Sequence, residues 1–321
     1  MRLIVRILSA IAIAAPQFTL AQDYPSKPIR FVMPAPPGGP VEVTVRVAAQ
    51  DLTQRLGRPV IMENRPGGAS IPAVENCSRG APDGYTFCLV SPDAMSFNPH
   101  IFERLPYDPD RDLKPVGNLF FVIEGLLGSP SLAANSMKEV QALAVAKQGS
   151  LNFGTLGPST TPDVFRQWLS AQWKTELVGI PYKGGSLVAT AVLAGEIHLT
   201  KIGMGNLAGL TGSGKVKILA LGASTRSTLL PNVPTIAEAG LGGFAFRVWW
   251  GMVAPAGTPD AIVNRINDEF NRLCREPKYV ELLTNRYLEA ALGSPQAFAA
   301  FLKQDREIVG QMVRDYKIPR Q

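Results

Sequence analysis

Three short segments rich in glycine, proline and hydroxyl side chains share one chemistry: Pro37-Gly38-Gly39-Pro40, Gly157-Pro158-Ser159-Thr160-Thr161-Pro162 and Lys183-Gly184-Gly185-Ser186. Each runs into an apolar-periodic stretch, so each reads as a loop that opens a helix. A helix start exposes backbone N–H groups without intrahelical partners and carries about half a positive charge, which attracts carboxylates. Glycine lets an anion approach the backbone closely, and Ser or Thr hydroxyls both donate and accept. Any one of these loops is an ordinary turn. Their recurrence in two parts of the chain points to one small acid gripped between them. Glu42, one turn into the first of these helices, has two readings: a solvated glutamate favouring the helix dipole, or a cleft residue that meets a ligand ammonium.

The elements that must carry these loops alternate. Short apolar runs at Ile29–Met33, Val60–Glu63, Tyr85–Val90, Asn118–Ile123, Leu151–Thr155, Ile197–Ile202 and Lys217–Leu221 read as strands between helical patterns, an α/β layout. Ser136-Met137-Lys138-Glu139 reads as a capping box, and Thr161-Pro162, Thr258-Pro259 and Ser294-Pro295 each read as an N-cap before an N1 proline. Gly57, Gly149 and Gly195 fit helix stops. No repeat or flexible linker divides the chain, so two lobes would exchange strands, with Asn118–Leu127 and Phe246–Ala254 as crossing segments. Ligands of open α/β sheets bind beyond the carboxyl ends of the strands, where these loops converge.

The chain has 321 residues, 46% hydrophobic and 18% charged, enough for two ordinary domains. Residues 1–21 read as a secretory signal peptide, with Arg2 and Arg6 before an apolar Ile7–Ala15 core and a small-residue cleavage signal at Thr19-Leu20-Ala21. Its loss removes two arginines, taking the formal charge from +6 to +4. The remaining charges alternate in sign along the helices instead of forming a basic stripe, which argues against nucleic-acid binding. No later segment reaches the ~20 apolar residues of a membrane span. In an oxidising compartment Cys77 and Cys88 could pair and leave Cys274 free, or all three could be buried thiols; spacing leaves both open.

Enzyme signatures are missing. The chain has two histidines, His100 and His198, no His-Glu-x-x-His, no Cys-x-x-Cys and no Gly-x-Ser-x-Gly. Gly203-Met204-Gly205-Asn206-Leu207-Ala208 matches a dinucleotide fingerprint by letters, but no acid follows at the ribose-binding distance. Asp108 and Asp110 lie in a proline turn and read as loop-closing residues. His198 and Lys201 are cations on one strand, each a candidate for attracting an acid. Trp249 and Trp250 point to opposite faces, one a candidate cleft wall.

The motifs Tyr24-Pro25-Ser26-Lys27-Pro28-Ile29-Arg30, Pro37-Gly38-Gly39, Glu63-Asn64-Arg65-Pro66-Gly67-Gly68, Ala81-Pro82-Asp83-Gly84-Tyr85-Thr86, Leu105-Pro106-Tyr107-Asp108-Pro109, Pro181-Tyr182-Lys183-Gly184, Leu230 to Gly240, Trp249-Trp250-Gly251 and Ala254 to Pro259 follow one another in order. Together they resemble the Bug family of periplasmic solute-binding receptors over essentially all of the chain beyond the leader. The resemblance implies a two-lobed periplasmic-binding-protein fold (type II-like), with 22–124 and 248–321 as one lobe and 125–247 as the other. It implies a monomer that closes on a small organic acid or amino acid in the periplasm of a Gram-negative bacterium and hands it to the membrane subunits of a tripartite tricarboxylate transporter. No catalysis, cofactor or metal is expected. The ligand contacts it implies are Pro37, Gly38, Gly39, Pro40, Ser91 and Pro92 from the first lobe. The second lobe supplies Gly157, Ser159, Thr160, Thr161, Tyr182, Lys183, Gly184 and Gly185. The chain departs from the family pattern at Val41-Glu42, at Asp163 and at His198 and Ile202. An exported enzyme acting on a small acid and the input domain of a membrane sensor are the alternatives.

Overall fold

Ile29, Phe31 and Met33 turn one way and Val32 the other, and all four are sealed from solvent, as in a strand covered on both faces. The computed structural model describes residues 24–158, 160–207, 210, 214–244, 246–316 and 318–320; the expected leader and Ser159 lie outside them. Two mixed sheets result, each with helices on both faces.

The first sheet has the order β11 (Leu288–Ala290), β4 (Leu113–Val122), β10 (Trp249–Pro255), β3 (Thr86–Val90), β1 (Ile29–Met33), β2 (Val60–Asn64). Strands β2, β1 and β3 are parallel, while β10 runs antiparallel to both β3 and β4. One face packs α1 (Pro40–Leu56), α7 (Asp260–Leu273) and α8 (Pro277–Asn285) around Phe31, Phe87 and Met252. The other packs α2 (Ile71–Ser78) and α9 (Pro295–Asp315) around Val32, Cys88 and Trp249. There α2 lies on β3 closely enough, at 6.1 Å between Cα atoms, for Cys77 and Cys88 to form a disulfide, which resolves the alternative the spacing left open. A turn of π-helix (Asp93–Phe97) and the short α3 (Asn98–Ile101) follow β3.

The second sheet has the order β7 (Val178–Pro181), β6 (Asn152–Thr155), β8 (Leu199–Gly203), β5 (Glu124–Gly128), β9 (Lys217–Leu221). Strands β6, β7 and β8 are parallel, and β5 is antiparallel to β8 and β9. Helices α4 (Met137–Ala146) and α5 (Thr161–Trp173) cover one face and α6 (Gly185–Ala194) the other.

Sequence and structure differ in instructive places. The expected crossing at 118–127 is two strands, with Ile123 alone between β4 and β5. Residues 246–254 begin at Phe246 in the apolar cluster shared with the second unit and enter the first sheet as β10, after a return from β9 through turns that include Ala237–Leu241. Strands β7 and β11 escape detection because they are four and three residues long and partly exposed. Thr160, not Thr161, is the N-cap of α5, and Pro259, not Thr258, that of α7; Thr258 instead turns its hydroxyl back to the Pro255 carbonyl at 2.7 Å. Ser136 and Ser294 do cap, accepting from the N–H groups of Glu139 and Ala297. Glu139 reaches back past Ser136 to the Asn135 N–H at 2.8 Å, so the reciprocal half of a capping box is shifted by one residue. Beyond the crossover, Phe97 and Ile101 and the end of α9 (Val309, Met312 and Val313) pack with Phe153 of β6 and Phe165 and Trp168 of α5, so the two units share an apolar belt.

Candidate functional site

In the first sheet the parallel strands β1, β2 and β3 deliver their carboxyl ends to the loops before α1, α2 and the π turn. In the second, β6, β7 and β8 deliver theirs to the loops before α5 and α6 and to a short 3-10 turn, Met204–Leu207. These two sets of loops face each other. A Cβ on Gly184 would sit 3.6 Å from Pro36 Cγ, and a Cβ on Gly205 would sit 2.9 Å from Pro40 Cβ and 2.6 Å from the Arg286 carbonyl oxygen. Gly205 is thus a close-approach glycine at which any side chain would push the loops apart. The third contact is polar: Asp93 Oδ1 accepts from Thr161 Oγ1 at 2.8 Å and from Thr161 N–H at 3.3 Å.

The Pro37–Pro40 loop is fastened from within. Gly38, at φ +88°, donates its N–H to Glu42 Oε2 at 3.0 Å, and Glu42 Oε1 accepts from Arg46 Nε at 2.9 Å. Glu42 is 1% exposed. This differs from the expectation that Gly38 and Glu42 meet the ligand: the Gly38 N–H is spent on Glu42, and the Glu42 carboxylate is spent on its own loop and helix. Gly39 is the N-cap of α1 with no side-chain cap, so the N–H groups of Val41 and Glu42 at the helix start remain for another acceptor.

On the opposite side, Thr160 closes its loop by donating to the Gly157 carbonyl at 2.7 Å, and Gly157 N–H donates to Thr155 Oγ1 at 3.3 Å. Tyr182 is pinned by its N–H to the Thr155 carbonyl, and its ring packs on the second-sheet core. Burial raises its phenol pKa. Lys183 is exposed, Gly184 is extended and caps α6 without a side chain, and Gly185 lies against Asn206, whose Oδ1 is 3.4 Å from Ser186 Oγ. Ser91 is 5% exposed and its carbonyl accepts from Met95 N–H; Pro92 beside it is buried and begins the π turn.

Several other candidates are committed elsewhere. His198 lies just before β8, at the end of the sheet away from the cleft loops, and accepts from Asn152 N–H through Nδ1 at 3.0 Å. Lys201 is fully buried, ion-paired to Glu124 and near the Phe165 and Phe244 rings at 5.3 and 5.7 Å. Glu124 is pushed up by desolvation, opposed by Lys201. Asp163 is held by Arg166 and Gln167 on its own helix. Trp249 is core, donating from Nε1 to Asp305 Oδ2 at 3.1 Å, and Trp250 packs on the other face of the same sheet. Asp108 closes its turn by accepting from the N–H groups of Asp110 and Arg111.

Two residues that sequence reasoning passed over stand at the cleft. Asp93 looks like an ordinary turn residue after a strand, and only the fold brings it to the start of α5. Desolvation raises its pKa to about 6, against the two bonds from Thr161 and with a further push from Glu124. Arg286 looks like a surface charge after a helix. Strand β11 pairs Leu288 with Val122 at the carboxyl end of β4, and the Arg286 carbonyl lies 2.6 Å from where a Cβ on Gly205 would sit, which places its backbone beside the facing loops. It is half-buried, its Nε is sealed from solvent without an acceptor, and no described carboxylate lies within ion-pair distance.

Among the described residues no helix is long and apolar enough to cross a membrane. The family model described as tripartite tricarboxylate transporter family receptor (TctC) matches residues 44–318. A relative from Pseudomonas sp. (strain P51), the UPF0065 protein in the tcbD-tcbE intergenic region, is 31% identical over 321 residues, covering 98% of this chain and 94% of that one. Among solved structures, R. palustris Rpa4515 with adipate is 25% identical with a TM-score of 0.88, covering 93% of this chain and all of the other. MatC from Rhodopseudomonas palustris with bound malate is 26% identical with a TM-score of 0.84, covering 90% and 100%. With a family match over most of its length and opposed helix-start loops between two α/β sheets, the chain belongs to the tripartite tricarboxylate transporter family of receptors.

Proposed function

We propose that the chain is a periplasmic receptor that captures a small carboxylate between its two sheets and releases it unaltered to transporter subunits in the membrane. The observation that carries this reading is the meeting of the two loop sets at Pro36 with Gly184, Pro40 with Gly205 and Asp93 with Thr161. The acid end of the ligand sits between the uncapped starts of α1 and α6, at Gly39, Pro40, Gly184 and Gly185. Preorganised N–H dipoles there replace the water that hydrates a free carboxylate. Arg286 supplies the compensating charge: a guanidinium half removed from water with a sealed, unsatisfied N–H gains from a carboxylate partner. Structures of relatives with adipate and malate support an organic acid as the cargo. The lobes divide at Ile123 and within residues 222–248, so that opening bends these two connections and slides the apolar belt around α9. The protein works as a monomer without cofactor.

The test is a thermal-shift screen of dialysed mature protein against organic acids and amino acids, followed by calorimetry, since a ligand that binds only the folded state raises its melting temperature. Saturable 1:1 binding with recovery of the intact ligand is the expected result. Turnover of the ligand by the isolated protein, or no binding by any acid, defeats the reading. Arg286→Gln lowers affinity at least tenfold if the carboxylate is placed correctly.

A further inference from the structure

The start of α5 is filled by the protein's own carboxylate, delivered across the cleft from the other sheet by Asp93. That carboxylate uses one oxygen. Its Oδ2 accepts no hydrogen bond from a described residue, and the Asp93–Thr161 contact is only partly buried. Asp93 makes no ion pair among the described residues, and the charge that bears on it most is another acid, Glu124, whose own cation Lys201 is fully committed. Two residues earlier, Ser91 is 5% exposed with a hydroxyl that likewise has no described hydrogen-bond partner. This end of the cleft therefore presents a negative oxygen and a hydroxyl, while the other presents helix starts and Arg286.

We propose that Asp93 is the specificity-determining residue of this cleft, its open oxygen accepting from an ammonium or hydroxyl group at the far end of the bound acid and rejecting a second carboxylate there. The inference rests on the receptor reading and sharpens its ligand class to a monocarboxylate bearing a distal donor. A second carboxylate beside Asp93 would meet a like charge that no described cation offsets. A donor there gains a charge-assisted bond. The Asp93–Thr161 bonds exist only while the two loop sets face each other, so the same side chain that reads the ligand also joins the sheets.

The experiment is calorimetry on the mature protein with matched straight-chain series: ω-amino acids and ω-hydroxy acids of three to six carbons against dicarboxylates of four to six. The wild type is expected to bind its best amino or hydroxy acid at least tenfold tighter than any dicarboxylate. Asp93→Asn keeps an acceptor for Thr161, removes the charge, and is expected to shrink that ratio at least tenfold. Ser91→Ala is expected to weaken hydroxy acids severalfold while sparing the Thr161 contact. A wild-type preference for dicarboxylates, or an unchanged ratio in folded Asp93→Asn, overturns the assignment and leaves the receptor reading standing. Absence of binding by every series overturns both.

Discussion

The loops that open α1 and α5 are similar, and each receives a carboxylate from the protein itself, but from different distances. Glu42 lies four residues from Gly38, is partnered by Arg46 on the same helix, and is 1% exposed. It would form the same bonds in an isolated first unit. Asp93 comes from the other sheet, 68 residues away in sequence from Thr161, and has no cation. A carboxylate that satisfies its own loop locally is structural. One that spans two sheets and keeps an oxygen open is placed to respond to whatever enters between them.

The comparison can be broken most forcefully at the third carboxylate, Glu124, which neither fastens a loop nor reaches the cleft. Lys201→Met leaves a buried acid alone and should cost about 3–5 kcal/mol in urea unfolding, most of it restored in the Lys201→Met, Glu124→Leu double variant. Additive losses in the double variant would show that the two side chains are not coupled.

Next in size is a pH effect. Asp93 and Asp305 both have pKa values raised from 3.8 to about 6, chiefly by desolvation. An acid with a higher pKa in the fold than in the unfolded chain adds stability that is full below about pH 4 and lost as pH rises through about 6. Each should contribute up to ~2–3 kcal/mol of decline over that window, since one pKa unit is about 1.4 kcal/mol. Groups around them include Glu124 and Lys201 on the second sheet, Tyr107, and Arg306 on α9 beside the π turn. Asp93→Asn and Asp305→Asn should each flatten the ligand-free melting profile between pH 4 and 7, but only Asp93→Asn should also alter ligand-induced stabilisation. Equal ligand responses would erase the distinction between them.

Glu42→Ala should cost about 2 kcal/mol, less than a fully buried pair because Arg46 is 44% exposed and can turn to water. Glu42→Gln should cost less, keeping an acceptor for Gly38. Neither should change which ligand is preferred, and a switch in preference would move Glu42 into the ligand's surroundings. The smallest effect on the fold belongs to Gly39→Val. No atom lies within 4 Å of a Cβ there and φ is −71°, so stability should change by less than about 0.5 kcal/mol. Ligand affinity should nonetheless fall at least tenfold by calorimetry, because the added side chain covers the α1 start.

Much of the layout was legible because it is written locally. Short apolar runs at Ile29–Met33 and Lys217–Leu221 mark strands, Ser294 marks the start of α9, and Gly57 and Gly195 mark helix ends through their left-handed φ. The three helix-opening loops were found because glycine, proline and hydroxyl residues carry their backbone preferences with them. What each loop's N–H groups bind was not legible. Gly38 and Thr161 are both capped by carboxylates, and nothing in the spacing says that Glu42 turns back or that Asp93 reaches across. Arg286 and His198 show the same gap: one gave no signal and has its backbone beside the facing loops, the other carried one and ends as a strand-end hydrogen bond.

The sequence by itself determined the alternation of strands and helices, the positions of the loops that open α1, α5 and α6, and through ordered motifs the family. The tertiary structure alone decided which charges are spent and which stay open, because ion pairing and desolvation depend on separations of a few ångströms between residues as distant in the chain as Glu124 and Lys201 or Asp93 and Thr161.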